Sequence, residues 1–233
     1  MSDGVDGMDP AVSNVERPTR VALVDDHRSF TDALTVVLNL TGDLQVVGTA
    51  TTAHEAVALV HRAYPDVILM DYHLPDQNGA EATARIKQIS PTTKVVMLTA
   101  SQEDEVLLTS IEAGASGYLN KEQAVEDVAD TVRKAQAGDI LVPRATLLRL
   151  LAKINDSSRA ARPPESMASR LTPREYTVLQ QIATGGDDGV ISVRLGISPL
   201  TFRTHVRNIM GKLGVHSRLE AVTLALRSGL IKL

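Results

Sequence analysis

Four polar groups recur at the downstream ends of short aliphatic runs: the pair Asp25-Asp26, then Asp71, Thr99 and Lys121. The runs read TRVALVDDH, PDVILMDYH, KVVMLTA and GYLNK. Ligands of open α/β sheets bind outside the carboxyl ends of the strands. Four such ends would therefore bring three carboxylates, a hydroxyl and an ammonium into one pocket. A pocket of that composition can bind Mg²⁺ and accept a phosphoryl group on an aspartate. Singly, each residue has an ordinary explanation. Asp-Asp after a strand is commonly a loop start, Asp71 in DYHLP a turn residue, Thr99 a helix cap and Lys121 a solvated side chain. The joint arrangement at four strand ends carries the inference.

The elements that must position these groups follow from the hydrophobic period. Strands are expected at 20–25, 44–49, 66–70, 94–98 and 117–120. Between and after them, 29–40, 53–63, 80–89, 103–113 and 125–137 carry apolar residues at helical spacing. Five strand–helix units alternating over about 120 residues predict a parallel sheet, covered by helices on both faces through right-handed crossovers. The runs at 66–70 and 94–98 are almost wholly apolar, as strands buried on both faces should be.

The rest of the chain has a different character. Residues 1–19 are rich in Asp, Gly, Ser and Pro and read as a disordered tail. Residues 20–140 form the α/β domain, and 141–169 a linker. The linker combines an amphipathic segment at 145–154, with Leu147, Leu148, Leu150 and Leu151, and the exposed-looking NDSSRAARPPESMAS. An all-α domain over 170–233 opens at Thr172-Pro173-Arg174-Glu175, with Thr as N-cap, Pro at the first helical position and Glu completing a capping box. Ser198-Pro199 opens another helix in the same way, and a last helix is expected over 218–228.

Charge separates the two domains. The chain carries a net −4, but from Arg170 onward nine Lys or Arg face four Asp or Glu, so the preceding residues hold −9. A basic module behind an acidic one suggests a nucleic-acid-binding end. With no cysteine, the chain has no disulfide, thiolate metal site or cysteine nucleophile. No apolar run reaches membrane-spanning length, and a cytoplasmic location is expected.

The segments LVDDHRSF, LMDYHLPDQNGAEA, VVMLTAS and AGASGYLNK resemble the receiver domain of a bacterial two-component response regulator over about Arg20–Gly138. LTPREYTVLQQIATGG and LGISPLTFRTHVRNIMGKLGVHSRLEAVTLALRSGLI resemble a four-helix LuxR-type helix-turn-helix domain, the combination found in the NarL/FixJ class. The resemblance implies a flavodoxin-like five-stranded receiver within a DNA-binding transcriptional regulator, not an enzyme, that takes phosphate from a sensor histidine kinase and dimerises when phosphorylated. It implies Asp71 as the phosphoacceptor, and Mg²⁺ held by Asp25, Asp26, Asp71 and the backbone carbonyl of His73. Lys121, Thr99 and the open position at Ala100 would receive the phosphoryl group, and Tyr118 would change rotamer with it. His73 and Ser101 lack a side chain suited to holding an attacking water, so slow self-dephosphorylation is expected. Haloacid-dehalogenase-like phosphatases share the Asp, Thr, Lys and Mg²⁺ set. They place a second Asp two residues beyond the nucleophile, where this chain has His73. The other alternative is an atypical regulator whose receiver serves as a dimerisation or ligand-sensing module.

On the helix from Pro199, Phe202, Val206, Ile209 and Leu213 line one face, while Arg203, Thr204, Arg207, Asn208 and Lys212 fall opposite. Arg203, Arg207 and Asn208 are candidates for base contact. Thr201, Thr204, Lys212 and Arg218 are candidates for the phosphates, which position without specifying. His205 is expected to pack. Val222, Leu226 and Leu230 on the last helix would form either a dimer face or plain core. The sequence departs from the family at Gly186-Asp187-Asp188-Gly189, where two carboxylates are expected to repel the DNA backbone and weaken binding.

Overall fold

The computed structural model describes residues 17–100, 103–122, 124–143, 145–147, 149–150 and 170–231. Residues 1–16 of the expected tail, Ser101, Leu148, Leu151 and the rest of the linker to 169 lie outside them.

Five parallel strands, β1 (Thr19–Val24), β2 (Leu44–Ala50), β3 (Val67–Asp71), β4 (Lys94–Thr99) and β5 (Gly117–Asn120), form one sheet in the order β2-β1-β3-β4-β5. This is the flavodoxin-like order. Helices α1 (Arg28–Asn39), α2 (Ala53–Ala63), α3 (Gly79–Ile89), α4 (Asp104–Glu112) and α5 (Ala124–Ala137) connect and follow the strands. Two apolar layers clamp the sheet. Leu34, Leu38, Val128 and Val132 of α1 and α5 pack on one face. Ala56, Leu59, Ala82 and Ile86 of α2 and α3 pack on the other. Every residue of β3 is buried, as its sequence demands of a central strand.

The second domain contains α6 (Pro173–Thr184), α7 (Asp188–Leu195), α8 (Pro199–Leu213) and α9 (Arg218–Arg227). Each begins on a side-chain cap, a local signal that satisfies an otherwise orphaned backbone N–H. Thr172 and Glu175 form the full capping box, and Asp187, Ser198 and Ser217 accept from the N–H of Val190, Thr201 and Glu220. The core of this domain is continuous with the receiver through Leu107 and Ile111 of α4, and through Leu147 and Leu150 of the segment after α5. The domains are thus docked through α4 and α9.

Candidate functional site

The sheet brings the strand-end residues together. Asp25 follows β1, its N–H bonded to the Ala50 carbonyl at 3.0 Å. Asp71 ends β3 opposite Leu98, and Thr99 ends β4 opposite Asn120. Lys121 follows β5, with its N–H on the Thr99 carbonyl at 3.2 Å. The loop after Asp71 folds back tightly because Gly79 has no side chain. A Cβ there would lie 2.2 Å from the Asp71 carbonyl oxygen.

The Lys121 ammonium bridges two carboxylates, 2.6 Å from Asp71 Oδ2 and 2.8 Å from Asp25 Oδ2. The Asp25 contact is an ion pair outside hydrogen-bonding direction, so a fully buried carboxylate oxygen still lacks a directed partner. Burial pushes the Asp71 carboxyl above its ordinary range, and the Lys121 hydrogen bond offsets only part of that. Burial alone would depress Lys121, but the Asp25 and Asp71 carboxylates held against its ammonium outweigh this and raise it. The His73 N–H donates to Asp71 Oδ1 at 3.2 Å. Donor atoms of Asp25, Asp26, His27 and Asp71 lie within 4.8 Å of one another. Three carboxylates at that spacing, one with an orphaned oxygen, suit a hard divalent cation. The mouth is a cavity of about 530 Å³ whose walls include Asp26, Asp71, His73, Ala100 and Lys121. Thr99 is buried beside it, while Tyr118 is half-buried on the far side of β5, packed against both the receiver core and the shared interdomain core. His27 is the member of this cluster that the strand-end pattern did not single out. Its position directly after the acidic pair was the available signal.

In the second domain, Phe202, Val206, Ile209 and Leu213 are buried as their spacing predicts. Thr201, Arg203, Thr204, Arg207, Asn208 and Lys212 are exposed along α8, and His205 is half-buried. Two basic candidates are already engaged. Lys212 donates to Glu175 at 2.6 Å. Arg203 Nε donates to Asp188 at 3.2 Å. Arg218 does not join the exposed row. Its guanidinium is largely buried, bonds both oxygens of Asp188, and sits 5.3 Å over the Phe202 ring. The expectation that Asp187 and Asp188 simply repel DNA overlooked these partners. Asp187 is a helix cap, and Asp188 is buried against two arginines, one of which it orients. Val222 and Leu230 are buried, and Leu226 packs against the same cluster, which includes receiver residues.

A doubly wound receiver with an acidic strand-end pocket, carrying a helix-turn-helix domain with an exposed basic helix, defines a class: signal-receiving DNA-binding regulators. Comparison with known proteins agrees. Residues 21–133 match the response regulator receiver domain family, and residues 169–225 match the bacterial regulatory proteins of the luxR family. The chain is 36% identical to the transcriptional regulatory protein YxjL of Bacillus subtilis (strain 168) over 91% of its own length and 97% of that protein. It is 34% identical to the response regulator protein VraR of Staphylococcus aureus (strain Mu3), over 91% of this chain and 99% of that one. Its fold is similar to that of the Salmonella typhimurium RcsB response regulator, with a TM-score of 0.52 at 22% identity, over 89% of this chain and 98% of that one. The chain belongs to the two-component response regulator family with a LuxR-type DNA-binding domain. Among the described residues, no helix is long and apolar enough to cross a membrane.

Proposed function

We propose that Asp71 is the phosphoacceptor of a cytoplasmic transcriptional regulator whose DNA-binding domain is controlled by that modification. The carrying observation is the Lys121 ammonium, held 2.6 Å from Asp71 in a cavity that Ala100 leaves open. That cation stands where a phosphoryl oxygen would need a counter-charge, and the Thr99 hydroxyl belongs to the same strand-end group. Asp25, Asp26, Asp71 and the His73 carbonyl would hold Mg²⁺, which offsets charge on an incoming phosphoryl group. The Asp71 carboxylate is the nucleophile, and its attack on a phosphohistidine forms the acyl phosphate and frees the kinase histidine. Incubation with acetyl phosphate and Mg²⁺ should add one phosphoryl mass to the chain and none to Asp71→Asn. Equal labelling of both would reject the assignment. Hydrolysis should quicken in His73→Asn plus Ser101→Glu, which supplies side chains able to hold an attacking water.

On the output side, Arg203, Arg207 and Asn208 would read base edges from the major groove, with Thr201, Thr204 and Lys212 on phosphates. The docked arrangement leaves this row in solvent and covers α9 instead, whose apolar face packs on α4. If α9 is a dimerisation face, as in the family, domain release would expose it, and phosphorylation would promote a homodimer on two half-sites. Arg218 would reach phosphate only after leaving Asp188.

A further inference from the structure

The acidic pair is followed by an imidazole that the phosphorylation chemistry does not require. His27 precedes α1, and its backbone N–H donates to Asp25 Oδ1 at 2.9 Å, which turns the residue back over the pair. Its Nδ1 lies 3.1 Å from Asp25 Oδ1 and 2.8 Å from Asp26 Oδ1. With Asp71, this makes four donor atoms within 4.8 Å of one another, three of oxygen and one of nitrogen. The oxygens alone suit Mg²⁺, which prefers hard ligands and keeps several waters. An imidazole adds little for Mg²⁺ but much for Zn²⁺ and other late divalent ions. Four protein donors also complete the tetrahedral shell that Zn²⁺ adopts in closed sites.

Resting on the phosphoacceptor reading of this pocket, we infer that His27 makes it a site for a Zn²⁺-class ion that competes with Mg²⁺ and holds Asp71 unphosphorylated. The difference lies in vacancies. An octahedral ion on oxygen ligands retains positions that phosphoryl oxygens can take. A tetrahedral ion with four protein donors has none, and it occupies the nucleophilic carboxylate. For such an ion to bind, Lys121 must yield its place between Asp25 and Asp71; the Phe30 ring, 5.6 Å from its ammonium, is a cation–π surface along which it would remain.

The test uses the full chain and two metals. Calorimetric titration with ZnCl₂ should give one site whose affinity falls roughly tenfold or more in His27→Ala, the scale of losing a metal-site interaction. MgCl₂ affinity should stay within about twofold, since hard-ion binding rests on the carboxylates. In the acetyl phosphate assay with Mg²⁺, Zn²⁺ should suppress labelling of the wild type and require a correspondingly higher concentration in His27→Ala. Equal Zn²⁺ affinity in the two proteins overturns the inference, as does a loss of Zn²⁺ affinity caused by His73→Ala but not by His27→Ala. In those cases Mg²⁺ binding and Asp71 labelling remain normal. Failure of Mg²⁺ binding and labelling in the wild type would instead remove the underlying reading, and this inference with it.

Discussion

Lys87 is fully buried at the seam between the domains, and its replacement by Met makes a quantitative prediction. Its ammonium donates to the Thr93 carbonyl at 2.6 Å. Burial first, and then the neighbouring Lys94, depress its pKa from 10.5 to about 7, while Glu220 of α9 opposes them. At about 1.4 kcal/mol per pKa unit, housing this lysine costs up to roughly 5 kcal/mol at pH 7. Lys87→Met removes that cost and leaves the Thr93 carbonyl unpaired, a loss of about 1–3 kcal/mol. The variant should therefore be more stable at pH 7 by about 2–4 kcal/mol, the difference of those two estimates. The sign with pH follows from linkage. Between about pH 7 and 10.5 the unfolded chain keeps this proton and the folded chain has lost it, so wild-type stability rises with pH across that window. Below pH 7 the full cost persists. The advantage of the variant should thus shrink by roughly 3 kcal/mol between pH 7 and pH 9.5. Urea unfolding of both proteins at the two pH values measures this. A variant no more stable at pH 7, or an advantage independent of pH, would refute the reasoning.

Asp188→Ala should destabilise the DNA-binding domain by about 3–5 kcal/mol, because it strands the buried Arg218. It should also weaken operator binding by freeing Arg203, whereas Asp187→Ser preserves a competent cap and should leave thermal stability nearly unchanged. Thermal melts and DNA titrations separate the two, and tighter binding by Asp188→Ala would restore the simple repulsion argument. Gly114→Ala should loosen the seam and shift the domains toward an undocked state. Gly114 has φ +94°, and a Cβ there would stand 3.1 Å from both His216 Cβ and Lys87 Cγ. A larger radius of gyration in small-angle scattering is the expected result, with no change counting against the docked arrangement.

The α/β half was legible because its signals are local. Strand ends expected at 25, 70, 98 and 120 fall at Val24, Asp71, Thr99 and Asn120, and the polar residues beside them converge as read. Parallel order needed no more than alternation and handedness. The caps at Thr172 and Ser198 were equally plain, since a side chain and a backbone three residues on decide them. What the sequence hid was pairing over distance. Asp188, expected from the sequence to face and repel the DNA backbone, is instead paired with Arg203, 15 residues on, and Arg218, 30 residues on. Lys87 lies on a helix of amphipathic period, where a lysine is ordinarily solvated, yet it is fully buried. Its stem lies beside Gly114, which is itself close to His216 of the second domain.

That seam also explains how a change at Asp71 could reach α9 without any long lever. Thr99 and Tyr118 sit on adjacent strands, with Met97 paired to Tyr118 and Thr99 to Asn120. Tyr118 packs on both cores and lines a cavity of about 510 Å³ shared with Ile182, Ile191, Arg218 and Val222 of the DNA-binding domain. The chain leaving Thr99 leads into α4, which packs on α9 and whose Glu112 pairs with Arg227. One strand end therefore neighbours both elements that hold the second domain in place. A phosphoryl group that draws Thr99 inward would alter the Tyr118 wall and the α4 approach together. Couplings between sites typically amount to about 1–3 kcal/mol, a shift of roughly 5- to 150-fold in the docked population. A docked state of modest stability would be emptied by that amount, and a very stable one would not.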